Sequence, residues 1–371
     1  MKTCVLSALA VMGLAGAAQA AGPEIVSGPS ADQQCFVPWT AQTKFFKFAK
    51  KPGPYRIALA NGFIGNTWRI QMVKTAKAYA EQPEVKKELK EFKVVSTGED
   101  IAAQISAINN FIDSGYDAVV VDAQNPTAFK SVVRRAKQAG VVLVAFDNTI
   151  DTDEAINVNV DQEGLGKYWG DFLVKSLPNG GRILEVRGVA GTSVDNDRHK
   201  GIQDTLKASG KPFESVEVVG KWDDGTAQKV SADAIAVNKK FDGMTAQGGS
   251  TGMVRAFIDA GLPLVPAAAE TENGFRKLCL ADGDKGLTCA SGGTGPAQVA
   301  VAIKTALAAL HGEVVPQSVR LPLAHAETPN FKAGENTYPN QTDNFFVGNS
   351  FPTCGINFTA QEIMGQSETS Q

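Results

Sequence analysis

The chain has 371 residues, of which 43% are hydrophobic and 20% are charged, and its formal net charge is -3. A chain of this length is too long for one small core and long enough for two α/β lobes. The small net charge argues against a broad basic surface of the kind that binds nucleic acid or an anionic membrane. We therefore expect an ordinary globular protein without a nucleic-acid partner.

The first 20 residues have the pattern of a cleaved secretory signal. Lys2 supplies the positive charge, residues 5–17 form a short apolar run, and Ala18-Gln19-Ala20 is a small-residue cleavage site. Beyond this segment no apolar run is long enough to span a bilayer. We expect the signal to be removed and the remaining chain to act outside the cytoplasm.

Four cysteines follow the expected signal: Cys35, Cys279, Cys289 and Cys354. An even number of cysteines in an exported chain indicates disulfides, and four cysteines allow three connectivities. We favour Cys279–Cys289, which are close in sequence, and Cys35–Cys354, which would join the two terminal extensions. The histidines and cysteines show no metal-ligand spacing, so neither a metal site nor a cofactor is expected.

Strands and helices alternate along the body of the chain, after an irregular extension at residues 21–50. The first predicted series has strands at 55–60, 92–96, 118–121, 141–146 and 156–160, with helices beginning after Asn66 and at 101–112 and 127–139. The second has helices at 165–177, 195–208, 227–237, 252–260 and 296–310, with strands at 182–186, 215–219, 244–247, 264–268 and 286–290. Such alternation predicts parallel sheets with right-handed crossovers, in two lobes. Residues from about 325 to 371 are polar and are expected to be irregular.

Polar and aromatic residues stand just beyond the predicted strands, where open α/β sheets bind their ligands. The candidate ligand-binding residues are Asn61, Phe63, Asn66, Trp68, Asp122, Asp147, Asn148, Asn196, Arg198, Trp222, Gln247, Ser250 and Glu270. Amide, carboxylate and guanidinium groups bind hydroxyl pairs, and aromatic faces cover the apolar face of a sugar ring. No G-x-G-x-x-G or Walker motif follows the first strand, which disfavours phosphorylated cofactors.

Several of these residues also have simpler local explanations. Asn66 alone fits a helix cap, and Trp68 alone fits a core residue. Asp195 and Asp197 would favour a helix N-terminus through the helix dipole. Asp147 has no capping or pairing role visible in the sequence, so it is the strongest ligand candidate, followed by Arg198.

Residues 55–320 resemble the periplasmic sugar-binding proteins of the ribose-binding type, which are the substrate-binding components of ABC importers. The resemblance rests on four stretches in a fixed order: Asn66-Thr67-Trp68, Val144-Ala145-Phe146-Asp147-Asn148, Val158-Asn159-Val160-Asp161, and Gly191-Thr192-Ser193 continuing to Arg198 and Gly201. It implies two Rossmann-like lobes with parallel sheets, joined by a three-strand hinge and closing over one sugar. It also implies a periplasmic monomer with a sugar ligand and an ABC transporter permease as partners.

The resemblance also assigns roles to single residues. Asn66 and Trp68 take the amide and aromatic positions of the N-terminal lobe, Asp147 the sugar-binding carboxylate, and Arg198 the arginine of the C-terminal lobe. Asp161 lies near the first hinge crossing, Trp222 near an aromatic position, and Glu270 where the family usually has aspartate. The implied N-terminal lobe is 51–160 plus 292–320, the C-terminal lobe is 161–291, and 321–371 form a last strand and an irregular extension.

Two departures bear on the ligand. Gly248-Gly249-Ser250 stand where the family commonly has Asn-Asp, and Asn148 stands where arginine is frequent. We therefore expect a ligand other than ribose, either another monosaccharide or a polyol.

Three alternatives compete with this interpretation. Residues 248–252 fit G-x-S-x-G between a strand and a helix, so Ser250 with His311 or His325 would make a serine hydrolase, although no HGGG-like segment is present. A sugar-responsive repressor would need an N-terminal helix-turn-helix, where this chain has a signal sequence. A periplasmic sensor that presents its ligand to a receptor would use the same lobes.

Overall fold

A computed structural model describes residues 22–368, so the expected signal peptide lies outside the described residues. The strands are β1 Glu24–Val26, β2 Phe45–Lys47, β3 Tyr55–Asn61, β4 Leu89–Ser96, β5 Ala118–Asp122, β6 Val142–Phe146, β7 Ile156–Asn159, β8 Gly181–Arg187, β9 Phe213–Val219, β10 Gly243–Ala246, β11 Ala267–Ala269, β12 Cys289–Gly293, β13 Val314–Pro316, β14 Ser318–Arg320, β15 Ala324–Glu327, β16 Ser350–Phe351 and β17 Ile356–Asn357. The α-helices are α1 Thr67–Ala80, α2 Pro83–Glu88, α3 Ile101–Asp113, α4 Lys130–Ala139, α5 Gln162–Ser176, α6 Ser193–Ala208, α7 Asp224–Asn238, α8 Ser250–Asp259, α9 Asn273–Ala281, α10 Gln298–Leu310 and α11 Ala360–Met364.

The N-terminal lobe is a six-stranded parallel sheet in the order β14-β7-β6-β5-β3-β4. Its central strands are continuous apolar runs because helices cover both faces. Alternate residues such as Val120 and Val144 pack with α1 and α10, whereas Val119 and Ala145 pack with α3 and α4. Because successive side chains along a strand point to opposite faces, this sheet contributes to two separate hydrophobic cores.

The C-terminal lobe repeats this plan with the strand order β15-β12-β11-β10-β8-β9. Leu184 and Met244 pack on one face with residues of α7, α8 and α9, and Ile183 and Ala290 pack on the other with α5 and α6. The edge strand β15 pairs antiparallel with β12, and the other pairings in this sheet are parallel. The expected architecture of two α/β lobes with parallel-dominated sheets is confirmed.

Three segments join the lobes, following β7, β12 and β14. Asp161, in the first of them, caps α5 by accepting the Gly164 backbone N–H at 2.8 Å. Its other carboxylate oxygen lies 3.4 Å from the Arg320 guanidinium, at the start of the third segment. Asp161 therefore connects two of the hinge segments, in keeping with its expected place.

The terminal extensions contain more structure than the sequence predicts. In the N-terminal extension, β1 and β2 form a small antiparallel sheet with β13. At the other end, β15 joins the C-terminal lobe, and α11 begins with a capping box between Thr359 and Glu362. The prediction of an irregular segment from 325 onward is therefore wrong, because short elements there are held by contacts with distant parts of the chain.

Both favoured disulfides are present. Cys35 pairs with Cys354 across 319 residues of chain, and Cys279 pairs with Cys289 across 10. The first joins the two terminal extensions, and the second links α9 to β12. The choice among the three possible connectivities is therefore confirmed.

Several predicted boundaries shift for local reasons. The helix expected from Thr127 begins at Lys130, because the Asn125 side chain accepts the backbone N–H groups of Thr127 and Ala128 and makes a turn there. The strand expected at 264–268 is found at Ala267–Ala269, since Pro266 has no N–H to donate.

Other elements were displaced or missed. The strand expected at 286–290 is found at Cys289–Gly293, and two helices, α2 and α9, were not predicted. Gly293 ends its strand beside Glu270, where a Cβ would lie 1.2 Å from the carboxylate. Within residues 22–368, no helix has the length and apolar character needed to cross a membrane.

Candidate ligand site between the lobes

The two lobes line a small, partly open cavity at the carboxyl ends of their strands. The lining residues are Asn66, Trp68, Arg69 and Asp147 of the N-terminal lobe, Val194, Arg198, Trp222, Gln247, Gly248 and Glu270 of the C-terminal lobe, Thr294 of the hinge, and Phe346 of the C-terminal extension.

Asp147 follows β6 with a backbone φ of 55°, a conformation that few residues other than glycine adopt. Its Oδ1 accepts hydrogen bonds from Gln298 at 2.8 Å and from the Thr294 hydroxyl at 3.3 Å. Its Oδ2 accepts from the Asn148 amide at 3.2 Å. A carboxylate offers about four lone-pair sites, so Oδ2 retains capacity for a ligand hydroxyl.

Arg198 projects from α6 and is held in place by four acceptors. Its guanidinium donates to the Gln162 side chain and the Gln247 carbonyl, each at 2.8 Å, and to Thr294 at 3.4 Å. It also forms an ion pair with Glu270 at 2.8 Å, with both side chains 3% exposed. Burial raises the pKa of Glu270, and the Arg198 charge opposes that rise.

Two tryptophans contribute aromatic surface to the cavity. Trp68 donates its indole N–H to the Thr294 carbonyl at 2.7 Å, which ties α1 to the hinge. Trp222 has a φ of 57°, an outlier for so bulky a residue. Backbone strain of this kind costs about 1–3 kcal/mol and is concentrated at functional sites.

Three buried polar atoms at or next to the cavity have no hydrogen-bond partner within the described part of the chain. They are Trp222 Nε1, which is a donor, and the Gln247 and Gln298 side-chain oxygens, which are acceptors. Each unsatisfied group costs about 1–3 kcal/mol. A hydroxylated ligand both donates and accepts, so it can satisfy groups of both kinds.

A second layer of polar residues supports the site from the N-terminal lobe. Arg69 pairs with Asp122 at 2.6 Å and donates to Asn61 at 2.7 Å. Burial raises the pKa of Asp122 to about 8, and the Arg69 charge opposes this. Asn148 donates to Asp122 and accepts the Val194 backbone N–H from the opposite lobe at 3.2 Å. Asn61, Asp122 and Asn148 therefore lie behind the cavity and do not line it.

The charges around the cavity largely neutralise one another. Arg198 faces Glu270 and Arg69 faces Asp122, which leaves Asp147 without a cationic partner among its hydrogen-bonded neighbours. An anionic ligand would need a surplus of positive charge. The site therefore disfavours an anionic ligand.

The Gly248-Gly249-Ser250 segment is held by a carboxylate that the sequence analysis missed. Glu272 accepts the backbone N–H groups of Gly249, Ser250 and Thr251 at 2.6 to 3.0 Å, at the start of α8. Gly249 has a φ of 72°, and a Cβ there would lie 2.5 Å from that of Ala227. Gly249, at the N-cap of α8, has no side chain to accept these N–H groups, and the Glu272 carboxylate accepts them instead.

Asp224 completes a buried carboxyl pair beneath this turn. It accepts the Gly252 backbone N–H at 3.0 Å. Burial and the neighbouring carboxylate raise the pKa of Glu272 to about 8, and burial also raises the pKa of Asp224. The two buried carboxyl groups therefore retain a proton between them at neutral pH, and four donors hold the Glu272 carboxyl group in place.

Ser250 lacks the geometry of a hydrolase nucleophile. Its buried hydroxyl has no hydrogen-bond partner among residues 22–368, and the adjacent backbone N–H groups are used by Glu272. His311 contacts Glu88, and His325 packs on Tyr168. These contacts remove the basis for the hydrolase alternative.

The structure brings seven predicted residues together around the cavity: Asn66, Trp68, Asp147, Arg198, Trp222, Gln247 and Glu270. Asn66 is also the N-cap of α1, which confirms the capping role, and its contact with a ligand stays a prediction. Phe63 and Ser250 do not line the cavity, and Asn196 is exposed on α6. Asp195 lies close by but is occupied by Arg187 at 2.7 Å.

Sequence reasoning missed five of the lining residues: Arg69, Val194, Gly248, Thr294 and Phe346. Arg69 and Val194 lie in the first turns of helices whose neighbouring residues were selected. Thr294 lies between a predicted strand and a predicted helix, in a stretch to which no element was assigned, and nothing in the polar C-terminal segment marks Phe346.

The family model described as periplasmic binding protein domain matches residues 57–313. The chain belongs to this family. The periplasmic binding protein fold is also found in solved structures, which confirms the expected family and fold. One is an ABC transporter solute binding protein from Thermobispora bispora, 27% identical, with a TM-score of 0.67 over 73% of this chain and 84% of that one. Another is a Caulobacter myo-inositol binding protein, 19% identical, with a TM-score of 0.67 over 76% of this chain and 96% of that one, a likeness that concerns the fold alone.

Two curated relatives of the periplasmic binding protein have higher sequence identity than these solved structures, but over a smaller part of the chain. The D-ribose/D-allose-binding protein of Pseudomonas aeruginosa is 30% identical over 186 residues, which is 47% of this chain and 56% of that protein. The D-xylose-binding periplasmic protein of Escherichia coli is 33% identical over 174 residues, which is 43% of this chain and 50% of that protein. The matches thus span about half the length of these relatives.

Proposed function

We propose that this chain is the substrate-binding component of an ABC importer and binds one small neutral sugar or polyol between its lobes. The observation that carries the proposal is the cavity between the lobes, in which Asp147 and Arg198 approach from opposite sides. Free acceptor capacity on Asp147, an unpartnered indole N–H and two unpartnered amide oxygens suit a ligand rich in hydroxyl groups.

Hinge closure is the proposed mechanism. Contacts between the lobes at the rim of the cavity support it: Asn148 accepts from Val194, and the Thr149 N–H donates to the Ser193 hydroxyl at 3.1 Å. Lys221 of the C-terminal lobe also pairs with Glu99 of the N-terminal lobe at 3.0 Å. A ligand that contacts both lobes favours the closed state through its differential affinity.

Delivery to a membrane permease and export through the cleaved signal at residues 1–20 belong to the same proposal. The closed arrangement of the two lobes would be the form that the permease recognises, and the protein would act as a periplasmic monomer. Binding rather than covalent chemistry is its task, since the polar groups in the cavity position hydroxyls and the Ser250 hydroxyl has no hydrogen-bond partner among residues 22–368.

A thermal-shift screen of the purified protein with monosaccharides and polyols tests the proposal. A ligand that binds only the folded form stabilises it and so raises the melting temperature. At a ligand concentration of 100 times Kd, the free energy of unfolding rises by about 2.7 kcal/mol. We expect such a shift with at least one neutral sugar or polyol. If charged amino acids or organic acids shift the melting temperature and sugars and polyols do not, the proposed ligand class is wrong.

A further inference from the structure

Among residues 22–368, Phe346 is the one residue lining the cavity that comes from outside the segment matched by the family model, which ends at residue 313. It belongs to residues 331–358, which we name the C-terminal strap. Phe346 is 2% exposed and packs with the core of the N-terminal lobe. This chain therefore adds a wall of its own to a cavity built by the shared fold.

The backbone of Phe346 is held by the side chain of Gln71 in α1. Its N–H donates to the Gln71 amide oxygen, and its carbonyl accepts from the Gln71 amide nitrogen, both at 2.9 Å. Gln71 is itself buried, so this pair of bonds fixes the strap against the N-terminal lobe at the cavity.

The residues on either side of Phe346 are held by the other lobe. The Phe345 carbonyl accepts the Asn273 N–H at 2.8 Å, and the Val347 N–H donates to the Thr271 carbonyl at 3.0 Å. Phe346 thus lies where the strap passes from one lobe to the other. This passage is a fourth connection between the lobes, in addition to the three segments of the hinge.

The strap also lies directly against the hinge. A Cβ built on Gly295 would stand 1.7 Å from the Gly348 carbonyl oxygen, and Gly348 has a φ of 101°. Side chains at either position would push the strap away from the hinge, so the two glycines allow Phe346 to reach the cavity.

Both ends of the strap are anchored. On the C-terminal lobe, the Asn273 side chain donates to the Tyr338 and Thr342 carbonyls, and Asp343 pairs with Lys277 at 3.1 Å. On the N-terminal lobe, Cys354 is joined to Cys35 by the disulfide. A segment fixed in this way is a rigid support for a side chain that contacts a ligand.

We propose that Phe346 sets the size of the ligand, so that the cavity accepts pentoses and compact polyols and discriminates against hexoses with an additional hydroxymethyl group. This inference rests on the proposed function. The cavity is small, and Phe346 adds a fixed apolar wall to a site whose other groups are largely polar. Misfit by a group of about one carbon in a preformed pocket changes binding by roughly 10- to 200-fold.

The test measures the binding of matched ligand pairs to Phe346→Ala by titration calorimetry. The pairs are D-xylose with D-glucose, L-arabinose with D-galactose, and xylitol with D-sorbitol. In the pair that the wild type binds, we expect the affinity ratio of the larger ligand to the smaller to rise by roughly 10-fold or more. Phe346→Leu keeps more of the core packing and should raise this affinity ratio by a smaller factor. If the alanine variant does not fold, the leucine variant tests the inference in its place.

Phe345→Ala is the matched control, because it truncates the adjacent phenylalanine of the strap, which packs on Tyr338 and does not line the cavity. Its affinity ratio should equal that of the wild type. Folded Phe346 variants with the wild-type ratio would overturn the inference and leave the proposed function intact. A wild type that binds none of these six ligands would overturn the inference, whereas the thermal-shift screen decides the proposed function.

Discussion

The cavity has two kinds of wall, and they differ in origin and chemistry. The walls at the strand ends carry Asp147, Arg198 and Glu270, which are buried, charged and fixed by hydrogen bonds within the shared fold. The wall from the strap carries Phe346, which is apolar and lies outside the matched segment. We propose that the strand ends recognise hydroxyl groups, whereas the strap selects ligands by size.

The largest expected effect comes from the Arg198–Glu270 pair. Arg198→Met leaves Glu270 charged and buried without its partner, which should lower the free energy of unfolding by about 3–5 kcal/mol. Urea unfolding of the ligand-free protein measures this. The double variant Arg198→Met/Glu270→Gln should recover part of the loss, whereas no recovery would contradict the assignment of the cost to the unpaired carboxylate.

Asp147→Ala should weaken ligand binding by about 2–4 kcal/mol, because the carboxylate receives the ligand hydroxyls in a desolvated site. It should also lower the free energy of unfolding, because the Gln298, Thr294 and Asn148 donors lose their acceptor. Titration calorimetry with the ligand found in the thermal-shift screen gives the value. Asp151→Ala is the control, since Asp151 is an exposed carboxylate in the same loop. Equal affinity in the two variants would remove Asp147 from the site.

The same two walls show what a sequence can and cannot predict. Alternating strands and helices predicted the two lobes, and the rule that ligands lie at strand ends located Asp147, Arg198 and Gln247, because both depend on local pattern. Phe346 depends on a strap with no period, which is held by contacts such as those with Gln71, 275 residues away. Glu272 was missed for the same reason, as its role appears only when β11 and α8 meet.

Releasing one end of the strap should separate its contribution from that of the strand ends. The double variant Cys35→Ser/Cys354→Ser should lower the free energy of unfolding by about 2–4 kcal/mol, since the unfolded chain loses a long cross-link. In the size test, the affinity ratio should shift in the direction of the Phe346→Ala result. If calorimetry instead gives the wild-type ratio of the two affinities, the contacts with Gln71 and the C-terminal lobe are sufficient to hold Phe346 in place without the disulfide.

The smallest expected effect concerns the Asp224–Glu272 pair. In the folded protein the two carboxyl groups keep a proton between them. The unfolded chain releases that proton once the pH rises above the ordinary aspartate pKa of 3.8. Its stabilising contribution is therefore complete below that pH and is lost as pH rises toward about 8. The slope for one proton is at most about 1.4 kcal/mol per pH unit.

Measuring the free energy of unfolding between pH 5 and pH 8 checks this expectation, because the stability should fall across this range of about three pH units. Asp224→Asn should flatten the dependence, because the amide does not titrate and removes the neighbouring carboxylate that raises the pKa of Glu272. Asp233→Asn, which changes an exposed aspartate on the same helix, should keep the wild-type slope. An identical slope in Asp224→Asn would show that the shared proton lies elsewhere.

A crystal structure of the protein with the ligand from the screen tests the central claim most directly. The account predicts a neutral sugar or polyol between the lobes, with a hydroxyl on Asp147 Oδ2, another within reach of Arg198, and Phe346 against its apolar face. A ligand bound elsewhere, or one in the cavity that touches neither Asp147 nor Arg198, would contradict it.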